Sequence, residues 1–345
     1  MTAEGRKAEG SPGTGAPPGD HEAFRELVEP IYRELHLFCY QMLGSFEDAE
    51  DVLQEAQIKA WRGLAHLERR ANFRAWMYRI VTNTSLDALR SRRRRLLPPD
   101  LGLPSDPALG LGEPSRGADW LEPYVGVLPA TPDPHTAAEL REGVRLAFLR
   151  ALQLLPPRQR AALILRDVLD WSAAETASAL DTSVPAVNSA LQRARATVSS
   201  RRAPDAFPPK PAVHDTSTAE VAARYVAAWE AGDMDAIVSM LADDAVQSMP
   251  PWPGWFAGRK ALRTLYSGYE IWSGRPGPGV FRIIPVSLNG DLAFAEYCRS
   301  RSDGPYEALA LTVTSLTSDG SRIAEKVSFL RTDLFTRLGL PSSLS

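Results

Sequence analysis

The sequence predicts a multidomain protein in which two all-helical modules precede an α+β domain. Hydrophobic residues recur at helical spacings through residues 21–95 and again through residues 136–202. From residue 217 to residue 340, helical segments give way to short alternating segments separated by Asn-Gly and Asp-Gly turns. Helices followed by a strand meander predict a curved sheet wrapped over helices. Residues 96–135 and 203–216 are rich in proline and are interpreted as linkers.

Composition and charge limit the classes of protein that the chain can be. Its 345 residues suffice for several domains, and 44% of them are hydrophobic, which is ample for buried cores. A net charge of −3 does not indicate nucleic-acid binding, so such a role requires local segregation of charge. Two distant cysteines, Cys39 and Cys298, indicate a reducing compartment rather than disulfides or a metal site. With no signal peptide and no apolar run long enough for a bilayer, we expect a cytoplasmic protein without metal, cofactor or membrane segment.

The start of the chain combines a predicted tail with the first helices. Residues 1–20 are rich in glycine and proline, which predicts a disordered tail. Apolar residues then recur at helical spacing up to a break at Gly44, and Ser45 is predicted to cap the next helix. The outer side of that helix is acidic. The helix dipole accounts for acidic residues in its first turn, Glu47 and Asp48, but not for those further along it.

The following segment reverses the sign of the charge. Through residues 62–95 arginines far outnumber acidic residues, and Phe73, Trp76 and Tyr78 lie among them on a predicted helix. Arginine beside exposed aromatic rings is typical of surfaces that bind single-stranded nucleic acid, through phosphate attraction and base stacking. A solvated basic face over core aromatics is the alternative.

Residues 171–199 predict a helix-turn-helix. Two helices flank a turn at Asp181-Thr182, and Ser183 caps the second, which has Pro185 in its first turn. One stripe of this second helix is apolar: Val187, Leu191, Ala194 and Val198. The opposite side carries Pro185, Asn188, Ser189, Gln192, Arg193 and Arg195. Short polar groups followed by arginines suit a helix that enters a major groove, and an ordinary helical hairpin is the alternative.

Further elements are predicted from the same periodicities. A helix over residues 136–155 opens the second module. The third part begins with a helix that ends at Gly232. A short helix, a strand, a longer helix and four strands follow, at residues 236–241, 245–249, 259–272, 280–288, 292–299, 306–315 and 322–329.

Three motifs occur together in one order. They are DAEDVLQEAQIKAW at residues 48–61, FRAWMYRIVTNTSLDALR at residues 73–90, and LPPRQRAALILRDVLDWSAAETASAL at residues 155–180. In their order and spacing, residues 22–200 resemble the extracytoplasmic-function sigma factors of the sigma-70 family. The resemblance implies a promoter-specificity subunit of RNA polymerase that assists strand opening without covalent chemistry, and hence no catalytic residue.

The resemblance also implies which residues meet which partner. Residues 21–95 and 136–202 correspond to sigma regions two and four. The acidic helix of region two would dock on the clamp helices of the polymerase β′ subunit through Asp48, Asp51, Gln54 and Glu55. The basic helix would open the −10 element of promoter DNA and hold a flipped base through Arg74, Arg79, Asn83, Asp87 and Arg90. The exposed side of the helix-turn-helix would read the −35 element as duplex.

Two positions depart from the family pattern. Asp181 stands in the turn where glycine is usual, which an aspartate tolerates in the left-handed conformation. Ala190 stands where many members carry arginine, so the set of DNA contacts is open at that position. Within the first linker, WLEPY at residues 120–124 resembles a segment of members with long C-terminal extensions. We expect this segment to pack on one of the domains.

The third part of the chain contains YVAAWEAGDMDAIVSMLADDAV at residues 225–246. With the order of elements around it, this segment resembles the SnoaL-like domains of the nuclear-transport-factor-two-like superfamily. Such domains are cones that enclose a cavity, and some are cyclases or isomerases that use an Asp or His as acid or base. The candidate cavity acids here are Asp243, Asp244 and Glu296. Aromatic residues either line a pocket for an unknown small ligand or form the core: Trp252, Trp255, Tyr266, Tyr269, Trp272 and Tyr297.

The sequence therefore predicts a sigma factor that directs core RNA polymerase to promoters and is regulated by its fused C-terminal domain. The expected partners are core polymerase, promoter DNA and a small ligand in the C-terminal domain, with no membrane. Two alternatives belong to other classes. One is a bifunctional protein whose C-terminal domain is a small-molecule isomerase or cyclase, and the other is a stand-alone helix-turn-helix repressor.

Overall fold

The computed structural model describes residues 18–64, 67, 73–91, 94–115, 120–129, 131, 140–141, 143–201, 216–267, 278–301 and 303–345. The expected tail lies outside this description up to residue 17, and the first helix begins at Pro18. The second expected linker lies outside it up to residue 215. Among the described residues, no helix combines the length and apolarity that a bilayer span requires.

The described part of the first module is helical. It consists of α1 (Pro18–Val28), α2 (Tyr32–Leu43), α3 (Phe46–Gly63) and α4 (Phe73–Ser91). Helix α2 ends where Gly44 takes a left-handed conformation, with φ at 72°, which glycine adopts without strain. The Ser45 hydroxyl accepts a hydrogen bond from the Asp48 amide at 3.2 Å and caps α3, as predicted. Every residue from Leu35 to Leu43 is buried, so α2 is the central helix of the module.

The second module contains the predicted helix-turn-helix. Its described helices are α5 (Leu146–Gln153), α6 (Pro157–Leu163), α7 (Ala173–Ala179) and α8 (Val184–Arg201), with a π-helical turn, Ile164–Val168, after α6. Ser172 and Glu175 form a capping box at the start of α7. Asp181 adopts the left-handed conformation expected of it, with φ at 49°. The predicted apolar stripe of α8 is buried: Val187, Leu191, Ala194 and Val198.

One prediction for this module is wrong. Residues 136–155 do not form a single helix, because the backbone of Arg145 is extended, with ψ at 138°, and α5 starts after it. The interruption turns the Arg145 side chain towards Asp291 of the C-terminal domain, 3.1 Å away. A contact with a distant part of the chain has therefore overridden the local helical pattern.

The C-terminal domain has the predicted α+β architecture. Its elements are α9 (Thr216–Ala231), α10 (Met234–Ser239), β1 (Leu241–Ser248), β2 (Trp255–Ala257), α11 (Arg259–Ser267), β3 (Phe281–Leu288), β4 (Asp291–Cys298), β5 (Tyr306–Leu316), β6 (Ile323–Phe329), α12 (Asp333–Arg337) and β7 (Ser343–Leu344). The sheet order is β2-β1-β6-β5-β4-β3, β1 and β6 run parallel, and β7 pairs with β5. Strand β1 begins earlier than predicted, and β2, α12 and β7 were not predicted. The helix expected over residues 259–272 is described only to Ser267.

The sheet has an inner and an outer face, because successive side chains of a strand point to opposite sides. The inner face, which includes Ile283 and Phe294, packs on α9, α10 and α11. The outer face, which includes Ala293, Tyr297 and Val327, belongs to the same apolar cluster as the two helical modules. One sheet therefore forms both the wall of the C-terminal core and the surface that holds the modules.

Candidate functional site

Helix α3 presents an exposed acidic stripe. Asp51, Gln54 and Glu55 are exposed and lie on one side of the helix, since residues three and four apart are neighbours there. Ile58, seven residues after Asp51, is 46% exposed and extends the same stripe with an apolar side chain. We call Asp51, Gln54, Glu55 and Ile58 the α3 stripe. Sequence reasoning missed Ile58, although its spacing from Asp51 was available as a signal.

Asp48 lies apart from the α3 stripe. Its side chain is only 15% exposed and forms an ion pair with Arg95 at 2.6 Å. Arg95 also donates a hydrogen bond to the Trp120 carbonyl at 2.9 Å. In this arrangement the Asp48 carboxylate therefore holds the end of the first module against the linker.

Helix α4 brings four of its five predicted DNA-binding residues together. Arg79, Asn83, Asp87 and Arg90 are exposed and form one stripe, and Arg90 pairs with Asp87 at 2.7 Å. Arg74 lies about 140° around the helix from Arg79.

Arg74 and the neighbouring aromatic residues serve packing in this arrangement. Arg74 pairs with Glu34 at 2.9 Å, and its guanidinium lies 5.3 Å from the centre of the Tyr78 ring. Phe73 and Tyr78 are buried, and Tyr78 packs edge-on against Trp171 of the second module at 5.0 Å. Burial raises the pKa of the Tyr78 hydroxyl well above its usual range. Of the two interpretations of these aromatics, the structure supports core packing for Phe73 and Tyr78.

Helix α8 displays its predicted polar side to solvent. Pro185, Asn188, Gln192, Arg193 and Arg195 are exposed, and Ser189 is half-buried. Arg193 donates a hydrogen bond to the Ser189 hydroxyl at 2.7 Å, and Arg195 forms an exposed ion pair with Asp167 at 2.6 Å. Exposed pairs of this kind are weak, so both arginines can turn towards phosphate.

Comparisons with known proteins agree with this geometry. Residues 27–95 match the family model Sigma-70 region 2, residues 145–198 match Sigma-70, region 4, and residues 222–326 match the SnoaL-like domain. The sigma factor SigG of Mycobacterium tuberculosis is 43% identical over 335 residues, which cover 96% of this chain and 88% of SigG. The chain belongs to the extracytoplasmic-function (ECF) RNA polymerase sigma factors. It is therefore a promoter-directing sigma factor with a SnoaL-like domain.

Two further relatives of this sigma factor differ in how much of this chain they match. SigJ of Mycobacterium tuberculosis is 31% identical over 313 residues, which cover 89% of this chain and 92% of SigJ. The crystal structure of SigJ aligns with a TM-score of 0.58 at 26% identity, covering 93% of this chain and all of that one. The sigma-E factor of Escherichia coli is 30% identical over 190 residues, which cover 54% of this chain. These relatives are named as sigma factors, not as enzymes.

The WLEPY segment of this sigma factor packs between region two and the SnoaL-like domain. Leu121 and Tyr124 are buried, which confirms that the segment packs on the domains. The Glu122 amide donates to the Gly44 carbonyl at 3.0 Å, and the Tyr124 amide donates to Asn289 Oδ1 at 2.9 Å. The linker is thus fixed at this point by both neighbours.

His36 of region two gives this packing a pH dependence. His36 is buried against Tyr124, its Nδ1 is 3.3 Å from the tyrosine hydroxyl, and burial lowers the pKa of His36 to about 4. The unfolded chain takes up the proton near pH 6.5 and the folded chain only near pH 4, so stability is lost as pH falls through this window.

We expect the free energy of unfolding to fall by about 2 kcal/mol between pH 6.5 and pH 5, at about 1.4 kcal/mol per pH unit. Urea unfolding at a series of pH values measures this loss. His36→Gln should flatten the dependence in this window, and His21→Gln, at an exposed histidine, should leave it unchanged. Equal slopes for His36→Gln and the natural chain would contradict the assignment.

Helix α12 of the SnoaL-like domain and Arg331, which precedes it, lie beside the acidic end of α3. Arg331 pairs with Glu47 at 3.3 Å and with Glu122 at 2.8 Å. Arg337 pairs with Glu47 at 2.9 Å and approaches Glu50 at 3.7 Å. Sequence reasoning missed both arginines, since α12 itself was not predicted. These pairs place the positive charge of the C-terminal domain beside the α3 stripe.

The tryptophan-rich loop of the SnoaL-like domain holds the linker between regions two and four. The indole of Trp252 donates to the Gly112 carbonyl at 3.1 Å, and that of Trp255 donates to the Gly102 carbonyl at 3.0 Å. Leu111 of the linker is buried in the core cluster of the C-terminal domain. Both tryptophans are half-buried and bind linker carbonyls, which neither of the two predicted roles, pocket lining or core, anticipated.

The remaining candidates in the SnoaL-like domain divide between surface and interior. Asp243 and Asp244 are exposed on β1, and Asp243 pairs with Arg259 at 3.0 Å. Glu296 is buried and accepts a hydrogen bond from the Tyr225 hydroxyl at 2.7 Å. Tyr266 and Tyr297 are buried, with Tyr297 on the outer face of the sheet. Tyr269 and Trp272 lie outside the described residues.

Proposed function

We propose that this sigma factor alternates between a closed arrangement, held by its SnoaL-like domain, and an open one on the polymerase. In the open arrangement the α3 stripe docks on the β′ clamp helices, with no direct part for Asp48. The exposed stripe of α4 holds the opened −10 element, and Arg74 joins it once released from Glu34. The exposed side of α8 reads the −35 element. We propose that the protein acts in the cytoplasm and carries out no covalent chemistry of its own.

Direct contact between regions two and four carries the proposal. Tyr78 of α4 packs on Trp171 beside α7, and the buried side chain of Arg160 in α6 donates to the Met42 carbonyl of α2. Gln41 of α2 donates to the Gly143 carbonyl at 3.0 Å. The positions that name the −35 and −10 elements are about 25 base pairs apart, which is about 85 Å of duplex at about 3.4 Å per base pair. Modules that touch cannot reach both elements, so they must separate before a promoter is bound.

The ion pairs that Arg331 and Arg337 make with Glu47, Glu50 and Glu122 are suited to a releasable latch. The pairs with Glu47 and Glu50 lie at the surface, where each contributes about 0.2–1 kcal/mol. The pair between Arg331 and Glu122 is half-buried. The surface pairs also neutralise Glu47 and Glu50, which adjoin the α3 stripe. Core polymerase that docks on α3 would therefore compete with α12 for the same end of the helix.

Reversing the latch charges should activate the protein. We expect Arg331→Glu with Arg337→Glu to raise promoter-dependent transcription by reconstituted polymerase about tenfold at subsaturating sigma factor, since about 1.4 kcal/mol of closure is removed. Run-off transcription on genomic fragments measures the effect. Arg301→Glu with Arg322→Glu is the matched control, because it makes the same charge change at exposed positions away from α3. Equal transcription from the two double variants would remove the latch.

The stand-alone repressor is distinguished by its need for polymerase. A repressor binds specific duplex DNA alone, whereas the closed sigma factor proposed here should bind it poorly until core polymerase is added. Gel-shift titration of −35 duplex with and without core polymerase separates the two. Specific binding that is tight without core and unchanged by it would favour the repressor.

A further inference from the structure

The tryptophan-rich loop of the C-terminal domain, residues 250–255, holds the linker by its backbone. The two indole N–H groups of the loop donate to the carbonyls of Gly102 and Gly112. In return, the amides of Ser105 and Ser115 donate to carbonyls of the loop at 2.7 Å and 2.9 Å. All four hydrogen bonds end on main-chain atoms of the linker, so they do not depend on its side chains.

The same contact lies at the edge of the C-terminal sheet. Strand β2 stands at one end of the strand order, and its first residue is Trp255. The carbonyl of this residue is the one that accepts from the Ser105 amide. Where a peptide binds at a sheet edge, main-chain hydrogen bonds supply affinity and pockets for single side chains supply selectivity. The linker therefore lies against the domain as a peptide ligand lies against a peptide-binding domain.

A single leucine of this part of the linker enters the domain. The four leucines between residues 101 and 112 are Leu101, Leu103, Leu109 and Leu111. Leu103 and Leu109 are 91% and 82% exposed, and Leu101 is 48% exposed. Leu111 is only 8% exposed and belongs to the inner apolar cluster of the C-terminal domain. The site thus distinguishes one leucine from its neighbours by its position in the peptide.

Two glycines set the course of the backbone on either side of Leu111. Gly110 and Gly112 have φ of 71° and 69°, which residues with a Cβ rarely adopt. Gly254 of the loop lies against this part of the linker. A Cβ at Gly254 would come within 3.2 Å of Ser105 Oγ and 3.6 Å of the Leu111 carbonyl. The fit between the Gly-Leu-Gly turn and the loop is therefore close.

We propose that the tryptophan-rich loop is a peptide-binding site for a proline-containing segment with a Gly-Leu-Gly turn, and that it accepts such a peptide in trans. The linker is the ligand of this site within the chain. Four hydrogen bonds between neutral groups and one leucine make a contact of modest strength, which permits exchange. In the proposed function, on which this last step rests, separation of regions two and four pulls on the linker. A peptide that takes its place then favours the open arrangement.

Fluorescence anisotropy of a labelled peptide of residues 101–115, titrated with the full-length protein, tests the site. In the natural chain the tethered linker competes at an effective concentration of about millimolar. Leu111→Asp in the protein should expel its own linker, so we expect this variant to bind the peptide saturably and at least about tenfold more tightly than the natural chain does. Leu109→Asp, at an exposed leucine, is the matched control and should behave as the natural chain. Leu111→Ser is the milder replacement if Leu111→Asp does not fold. Equal binding by the three proteins, or no saturable binding by the Leu111 variant, would overturn the proposal.

Further variants assign the binding to Leu111 and to the loop. Leu111→Ser in the peptide should weaken binding to the Leu111→Asp protein at least about tenfold, while Leu109→Ser should leave it unchanged. In that protein, Trp252→Phe with Trp255→Phe keeps aromatic rings but removes both N–H donors, and should weaken binding about tenfold. Trp61→Phe, at a half-buried tryptophan of region two, is the control. Equal effects of the two leucine replacements, or unchanged binding in the double phenylalanine variant, would overturn the assignment. Because these measurements use neither polymerase nor transcription, they can fail or succeed independently of the latch.

Discussion

Charge reversal on the α3 stripe, made as Asp51→Lys with Glu55→Lys, should weaken association with core polymerase by about 100-fold or more. Both carboxylates are exposed on one side of α3, and Ile58 beside them is exposed as well. A surface of this kind, with acidic groups around an apolar side chain, suits docking on a basic partner helix. Two lysines there would place like charges in contact, which costs several kcal/mol. Titration of fluorescently labelled sigma factor with core polymerase measures the change.

The matched control reverses two acids elsewhere on region two. Glu26→Lys with Glu29→Lys makes the same change in net charge at exposed positions near the end of α1, and we expect an effect within about threefold. Asp48→Ala should affect stability more than polymerase binding, because Asp48 pairs with Arg95 inside the first module. If the two charge reversals weaken binding equally, net charge rather than the α3 stripe explains the association, and the docking assignment fails.

Features that depend on a few neighbouring residues were predictable from the sequence. Asp181 was expected in a left-handed turn and adopts φ at 49°. The Asn289-Gly290 pair was expected to form a hairpin turn, and φ at 56° and 68° agrees with the turn type that such a pair favours. The apolar stripe of α8 was likewise readable from spacing alone, because burial there follows the helical period.

Contacts between distant parts of the chain were beyond such reasoning. Arg331 and Glu47 are separated by 284 positions, and no local pattern relates them. Asp48 matched the spacing of a partner-binding motif, yet Arg95, 47 positions later, takes its carboxylate. The α3 stripe and the α4 stripe were predicted nearly complete because a single helix places their members. The closed arrangement could not be predicted, since it depends on surfaces that the modules share.

The contact between region four and the C-terminal domain should be the position most sensitive to substitution. We call this contact, formed by Val144 and Arg145 with Asn289 and Asp291, the joint. Asn289 is buried there, and its Nδ2 donates to the Val144 carbonyl at 2.5 Å and to the Tyr40 hydroxyl at 3.3 Å. Arg145 and Asp291 form the adjacent ion pair at 3.1 Å, with side chains only 7% and 3% exposed. The turn at Asn289 contacts Tyr40 of region two and Val144 of region four, so it acts as a common anchor for the closed arrangement.

Removing one partner of this buried pair, as Asp291→Ala, should destabilise the protein by about 3–5 kcal/mol, because the buried Arg145 guanidinium loses the carboxylate 3.1 Å away from it. We expect the thermal midpoint to fall by roughly 5 °C and the linker between regions two and four to be cleaved faster by trypsin. Arg145→Met with Asp291→Leu is the informative companion, since it replaces both charges by apolar groups of similar volume. This double variant should stay within about 1 kcal/mol of the natural chain and remain protected from cleavage.

A double variant as unstable as Asp291→Ala would show that shape rather than charge holds the joint. An Asp291→Ala protein as stable as the natural chain would mean that the closed arrangement does not depend on this pair.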